Sequence, residues 1–73
     1  MFRTISKEEK SNLEKTYLGK RVRLIYMDDK QAPPAGSCGK VKLIDDIGQI
    51  HVNWETGGSL ALIPGVDEFE LVK

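Results

Sequence analysis

Two aspartate pairs are the residues of this sequence whose chemistry is easiest to name. Asp28 and Asp29 end the string YMDD, and Asp45 and Asp46 follow a second apolar run. Four converging carboxylates could hold a hard cation such as magnesium or calcium. However, the spacing fits no calcium loop, and adjacent residues of a strand point to opposite faces, so each pair offers one ligand at most. Because aspartate also favours the opening of turns, we predict turn-forming aspartates and no metal site.

His51 and Cys38 are the next candidates, since together they could form a nucleophile and its base. His51 falls on the polar side of an alternating run, and no second histidine or suitable nucleophile lies at a recognisable spacing. Cys38 stands in a turn between serine and glycine. Without a base and an orienting third group, covalent catalysis is disfavoured. We predict no catalytic residue, no cofactor and no enzymatic activity.

Four basic residues mark a possible phosphate-binding surface. Arg21, Arg23, Lys40 and Lys42 occupy the outward positions of two alternating runs. If those runs pair as antiparallel strands, the four side chains form a basic strip that could contact a nucleic-acid backbone. The alternative interpretation is protection of exposed strands against aggregation, for which lysine and arginine are often used.

The loop KQAPPAG, residues 30–36, is the best candidate for binding a protein. Prolines favour an extended, stiff backbone, so Pro33 and Pro34 would be displayed to solvent. With Tyr26 and Met27 at its root, this loop could form an apolar contact patch. An ordinary rigid loop is the alternative.

Length and composition limit what such residues can do. A chain of 73 residues allows one small domain, with a stability margin of about 3 to 5 kcal/mol. The single cysteine and the lack of an apolar N-terminal segment predict a soluble protein of a reducing cytoplasm. Eleven basic and eleven acidic residues cancel, yet residues 1–42 carry a net +5 and residues 43–73 a net −5. Antiparallel pairing of the two halves would interleave these charges.

The chain begins with a predicted helix over about residues 7–17. Ser6 and Glu9 have the spacing of a capping box, and Gly19 suits the left-handed residue that ends a helix. Leu13 and Tyr17 give only a narrow apolar stripe, which predicts loose docking against a larger element.

Apolar residues then alternate with a period of two, which predicts five strands at residues 20–26, 40–44, 49–55, 59–63 and 68–72. The glycine pair GG and the string PG predict the turns on either side of the fourth strand. We expect one core formed by Val22, Leu24, Val41, Leu43, Ile50, Val52, Leu60, Leu62 and Phe69. Trp54 is in phase with these residues.

Five short strands and tight turns favour an all-β fold, a small five-stranded SH3-like barrel with a short N-terminal α-helix. Residues 1–19 would be the helical extension and residues 20–73 the barrel. An OB-fold is the rival, but its helix normally lies between strands 3 and 4, where this chain has only a glycine turn.

The strings RLIYMDD, PPAG, DDIGQIHVNW and SLALIPGVD occur in this order over residues 21–72. With these strings in this order, the sequence resembles a family of short bacterial and phage domains catalogued as domain of unknown function 4314. No activity is established for that family, so the resemblance implies no catalytic residue. The V-x-W strand before a glycine turn also resembles a hairpin of several SH3-like modules, which mostly bind peptides or nucleic acids.

We therefore predict a non-enzymatic binding or accessory module that docks to a protein partner through Tyr26, Met27, Pro33 and Pro34. The alternative is a nucleic-acid-binding module that uses the basic strip. No membrane association is expected, and the partner and the oligomeric state stay open.

Overall fold

The computed structural model describes residues 4–72. The chain forms one helix and four strands: α1 (Lys7–Tyr17), β1 (Arg21–Tyr26), β2 (Cys38–Ile44), β3 (Ile50–Trp54) and β4 (Glu68–Leu71). Within residues 4–72, no helix is both long enough and apolar enough to cross a membrane.

The helix α1 begins and ends as its sequence predicts. The Ser6 hydroxyl accepts a hydrogen bond from the Glu9 backbone N–H at 3.0 Å and so caps the first turn. Gly19 follows the helix with a φ of 75°, a value that glycine adopts without strain. No residue of α1 is buried, and Leu13 and Tyr17 pack against the core from its edge. The narrow apolar stripe thus gives the shallow docking that was expected.

The four strands form one antiparallel sheet in the order β3-β2-β1-β4. Gly39 in β2 lies between Val22 of β1 and Trp54 of β3, and Val22 also pairs with Leu71 of β4. This register places residues that are far apart in the sequence on one buried face. The fold is a small, mostly-β fold, and the sheet is not closed into a barrel.

A β-bulge in β2 corrects the predicted core. Val41 pairs with Val52, but the next pair is Leu43 with His51, so two residues of β2 oppose one residue of β3. An extra residue reverses the direction of every side chain that follows it. The prediction of a buried Leu43 is therefore wrong: its side chain is 45% exposed, and Ile44 is buried instead.

A second irregularity, between Leu24 and Tyr26 in β1, has a similar effect. Leu24 pairs with Phe69, whereas Tyr26 pairs with Glu68, on the opposite face of β4. Tyr26 is 57% exposed, in agreement with its predicted place in a contact patch at the root of the loop.

The core otherwise follows the sequence pattern. Its buried residues are Val22, Leu24, Val41, Ile44, Ile50, Val52, Trp54 and Leu62. Leu60 and Phe69, predicted for the core, are half-buried, and Phe69 stands edge-on to the Tyr17 ring with the ring centroids 5.5 Å apart.

The predicted fourth strand at residues 59–63 is reduced to a single bridge. Ile50 and Leu62 exchange two backbone hydrogen bonds of 2.8 Å each. Two residues earlier, the Leu60 carbonyl accepts a hydrogen bond from the Trp54 indole N–H at 2.8 Å. Because this carbonyl serves a side chain, the segment does not continue as a regular strand beside β3.

Candidate functional site

The aspartates of YMDD lie at the start of the β1–β2 loop. Asp29 accepts a hydrogen bond from the Gln31 backbone N–H at 2.7 Å, which is the pattern of an aspartate that opens a turn. Asp28 is exposed and makes no side-chain hydrogen bond within residues 4–72. The turn-forming role predicted for this pair is thus present at Asp29.

The second aspartate pair is occupied by other contacts. Asp45 Oδ1 accepts hydrogen bonds from the backbone N–H groups of Ile47 and Gln49 at 3.1 and 2.8 Å, and its Oδ2 lies 2.8 Å from His51 Nε2. Asp46 forms a 2.7 Å salt bridge with Lys10 of α1. Among residues 4–72, no group of three or more histidine, cysteine or acidic side chains is arranged to hold a metal ion.

The pairing of Asp45 with His51 is a feature that the sequence interpretation missed. Burial alone would raise the pKa of the Asp45 carboxyl, but the hydrogen bonds from His51, Gln49 and Ile47 outweigh it and lower that pKa. The two residues are six positions apart, and the conformation of the β2–β3 turn brings their side chains into contact. The ionised Asp45 carboxylate therefore stabilises the turn.

This lowered pKa predicts a loss of stability in acid. Because the pKa of Asp45 is lower in the folded state, its contribution is present above the unfolded pKa, about 3.9, and disappears as the pH falls through the folded value. We expect Asp45→Asn to lower the free energy of unfolding at pH 7, and the difference from wild type to shrink towards pH 3. Urea unfolding at both pH values measures it. Asp28→Asn is the matched control, and a difference that stays constant with pH would contradict the assignment.

Cys38 and His51 do not form a catalytic pair. Cys38 is half-buried at the start of β2, and its thiol lies 3.7 Å from the Gly36 carbonyl. His51 is opposite Leu43, five residues further along β2, a distance of about 16 Å along a strand. The fold keeps the two side chains apart.

Of the four predicted basic residues, the register brings Arg21 beside Lys40, and both arginines are paired with carboxylates. Arg21 and Lys40 are cross-strand neighbours on the outward face. Arg21 binds Glu55 through two hydrogen bonds of 2.7 and 3.0 Å, which lower the pKa of Glu55 and raise that of Arg21. Arg23 lies 3.2 Å from Glu70.

Lys40 and Lys42 remain without a salt bridge to any of residues 4–72. Each of the pairs Lys10–Asp46, Arg21–Glu55 and Arg23–Glu70 joins the basic half of the chain to the acidic half. The fold therefore interleaves the charges of the two halves.

The two prolines of the β1–β2 loop form one wall of an open groove of about 520 Å³. Trp54 and Leu60 lie in the same groove, together with the turn at residues 56–59. We call this surface the Pro–Trp groove; it is lined by Gln31, Pro33, Pro34, Trp54, Thr56, Gly57, Gly58, Ser59 and Leu60. None of its lining side chains is charged.

The Trp54 ring is held firmly in place. The residue is only 5% exposed, and its indole N–H donates to the Leu60 carbonyl. Beyond it, Gly57 and Gly58 take φ values of 96° and 86°, and no non-glycine residue among those described has a positive φ. The turn thus places its left-handed residues on glycines, and Thr56 avoids the strain that a β-branched side chain would suffer there.

Tyr26 and Met27 were predicted to act together with the prolines, but neither lines the Pro–Trp groove. Met27 packs against the core and lines a separate cleft of about 240 Å³ beside Asp28 and Asp29. Tyr26 is exposed at the end of β1. Of the four predicted partner-binding residues, the fold brings only Pro33 and Pro34 into the groove, and it adds Trp54 to them.

A second groove, of about 670 Å³, runs between α1 and the turn at Pro64. Its apolar lining comes from Leu13 and Tyr17 of α1 and from Ile47, Ile63 and Val66. The apolar stripe of α1 is narrow, so the helix does not fill the space beside the turn at Pro64, and the groove stays open.

Comparison with known proteins identifies the family of the chain. No match was found among curated proteins or among solved structures. A family model described as "Domain of unknown function (DUF4314)" matches residues 6–72, nearly the whole chain, including α1, which the sequence resemblance had left out. The chain therefore belongs to this family of domains of unknown function.

Proposed function

We propose that the domain is a non-enzymatic docking module that binds an extended, uncharged segment of a partner protein in the Pro–Trp groove. The observation that carries the proposal is that Pro33 and Pro34 line one uncharged groove together with Trp54. Prolines lose little conformational entropy when a ligand binds, so the contact free energy is largely retained. The Trp54 ring is only 5% exposed, so it acts mainly as a fixed support for the floor of the groove.

The lining of the groove defines the chemistry of the partner segment. Its side chains are apolar or uncharged, so a charged segment would lose its hydration without gaining an ion pair. Gln31, Thr56 and Ser59 supply hydrogen-bonding groups at the rim. Such a surface favours an extended segment with small apolar or proline side chains and free backbone groups.

A five-stranded SH3-like barrel is part of the same proposal. The exchange of hydrogen bonds between Ile50 and Leu62 supports residues 59–63 as an irregular fifth strand, which would lie beside β3. The Leu62 amide already donates to Ile50, so the test is the Leu60 amide: a regular fifth strand predicts that its hydrogen exchanges as slowly as that of Leu62, and fast exchange would contradict the fifth strand.

The experiment selects decapeptides from a random phage-displayed library on the immobilised domain and measures their affinities by Trp54 fluorescence. We expect the double variant Pro33→Ala/Pro34→Ala to bind the selected peptides about tenfold more weakly, the effect of losing one good interface contact. Tyr26→Ala is the matched control, an exposed aromatic residue outside the groove, and should bind as wild type does. Loss of binding in Tyr26→Ala with normal binding in the proline variant would overturn the proposal.

Nucleic-acid binding is the second candidate, favoured by the exposed Lys40 and Lys42. Salt separates it from protein docking: four phosphate contacts give a slope of log K against log salt near −3.6, so a fourfold rise in salt weakens binding about 100-fold. Docking in the uncharged groove should change by less than about twofold. Retention on mixed DNA and RNA that is lost in Lys40→Glu/Lys42→Glu, and is steeply salt-dependent, would favour this rival.

A further inference from the structure

The two edges of the sheet differ in how their backbone groups are used. At the β3 edge, Ile50 exchanges hydrogen bonds with Leu62, and the Trp54 N–H donates to the Gly58 carbonyl at 3.3 Å. At the other edge lies β4, which pairs only with β1. Among residues 4–72, one edge is therefore covered by other backbone of the chain, and the β4 edge is not.

The register identifies the free groups of β4. The Val72 N–H donates to the Arg21 carbonyl, and Glu70 pairs with Arg23, so the even-numbered residues turn their backbone groups towards β1. In an antiparallel pair, alternate residues direct these groups to opposite sides. The backbone N–H and carbonyl groups of Phe69 and Leu71 thus point away from β1, in the plane of the sheet and towards its open edge. None of the turn and loop hydrogen bonds within residues 4–72 involves these groups.

The side chains of β4 alternate in the same way. Phe69 and Leu71 lie on the core side, opposite Leu24 and Val22, yet Leu71 is 43% exposed because no strand stands beside it. Glu68 and Glu70 lie on the other side, and both are exposed, although Glu70 already forms a 3.2 Å salt bridge with Arg23. An added strand would cover Leu71 with an apolar residue and place its intervening residues next to the two carboxylates.

A second copy of the chain meets like charges at this edge in two registers. An antiparallel register centred on Phe69 would place Glu68 of one copy opposite Glu70 of the other, and a register centred on Glu70 would place Glu70 opposite itself. Like charges directly opposite one another destabilise a strand pair. In these registers the glutamates oppose self-association, and they favour a strand with cations at alternate positions.

We propose that the open edge of β4 binds an extended segment of a different protein in which Lys or Arg alternates with apolar residues. The segment adds a strand beside β4, at the edge opposite residues 59–63, by hydrogen bonding to the backbone of Phe69 and Leu71. Its apolar residues cover Leu71, and its cations lie beside Glu68 and Glu70. This surface is separate from the Pro–Trp groove, so the proposal stands or falls independently of the docking function above.

The test uses a six-residue peptide of alternating lysine and valine, blocked at both ends, titrated into the folded domain at low salt. We expect saturable changes in the amide chemical shifts of Phe69 and Leu71. The double variant Glu68→Gln/Glu70→Gln should bind about tenfold more weakly, because two charge pairs are lost. N-methylation of the peptide amides that face β4 should abolish binding, because those amides can no longer donate hydrogen bonds to the backbone of β4.

Three controls distinguish strand addition at the β4 edge from unspecific charge attraction and from binding at another surface of the domain. A peptide of the same composition with its lysines in one block should bind weakly, whereas equal affinity would mean unspecific charge attraction and would overturn the proposal. An alternating glutamate and valine peptide should not bind. The Pro33→Ala/Pro34→Ala variant should bind the lysine peptide as wild type does. Chemical-shift changes confined to the Pro–Trp groove, or to the groove between α1 and the turn at Pro64, would contradict strand addition.

Discussion

Replacing Ile44 with aspartate is expected to unfold the domain, whereas the same replacement at Leu43 should leave it folded. Ile44 is 3% exposed and belongs to the core, while Leu43 is 45% exposed on the outward face. A buried carboxylate without a partner costs more than the whole margin of about 3 to 5 kcal/mol for a domain of this size. At an exposed strand position the change should cost less than about 1 kcal/mol.

The pair of variants tests the β2 bulge directly, since a regular strand would reverse the result. Far-UV circular dichroism and urea unfolding, followed by Trp54 fluorescence, distinguish the two outcomes. Val52→Asp is a positive control, because Val52 is fully buried and precedes no irregularity in β3. An unfolded Leu43→Asp beside a folded Ile44→Asp would mean that β2 runs without its bulge.

The bulge also explains how far the sequence could predict this fold. Alternation with a period of two correctly indicated Val22, Leu24, Ile50 and Val52, because the extra residue of the β2 bulge lies opposite β3 and not in it, and the irregularity of β1 comes after Leu24. It was wrong at Leu43 because a bulge adds one residue without changing the local pattern of apolar letters. Nothing in the string VKLI, residues 41–44, indicates which of its last two residues faces the core.

The candidate sites depended on register even more strongly. The pairing of Arg21 with Glu55 joins residues 34 positions apart, and it exists because β2 brings the ends of β1 and β3 together. Composition could indicate that the two halves attract each other, but not which cations would be paired and which would stay free.

The Pro–Trp groove shows the same limit for apolar residues. The stiffness of the Pro33–Pro34 segment followed from its residue types, and Trp54 was correctly assigned to the core. That the two meet in one groove depends on the path of the loop, and the predicted grouping with Tyr26 followed closeness in sequence instead. A loop of eleven residues between β1 and β2 can turn its tip towards either end of the sheet.

Replacing Gly39 with alanine is expected to produce the second large loss of stability. Gly39 lies at the centre of the sheet, between Val22 and Trp54, and its backbone needs no unusual φ. The requirement is for space: an added Cβ would lie 2.6 Å from both the Asn53 carbonyl oxygen and Val52 Cγ1, and 2.9 Å from Trp54 Cα. Two of these atoms belong to the backbone of β3, which a rotamer change cannot move.

Relief of this clash requires β3 to shift away from β2, with an overpacking cost of about 1 to 3 kcal/mol. For a domain of this length, that loss corresponds to a fall in melting temperature of roughly 4 to 20 °C. Lys40→Ala is the matched control, since Lys40 is the next residue and its side chain is exposed. Differential scanning calorimetry of both variants gives the comparison, and equal melting temperatures would mean that β2 and β3 are further apart than described. Because β3 carries Trp54, Gly39→Ala should also weaken peptide binding in the Pro–Trp groove under conditions where the variant is still folded.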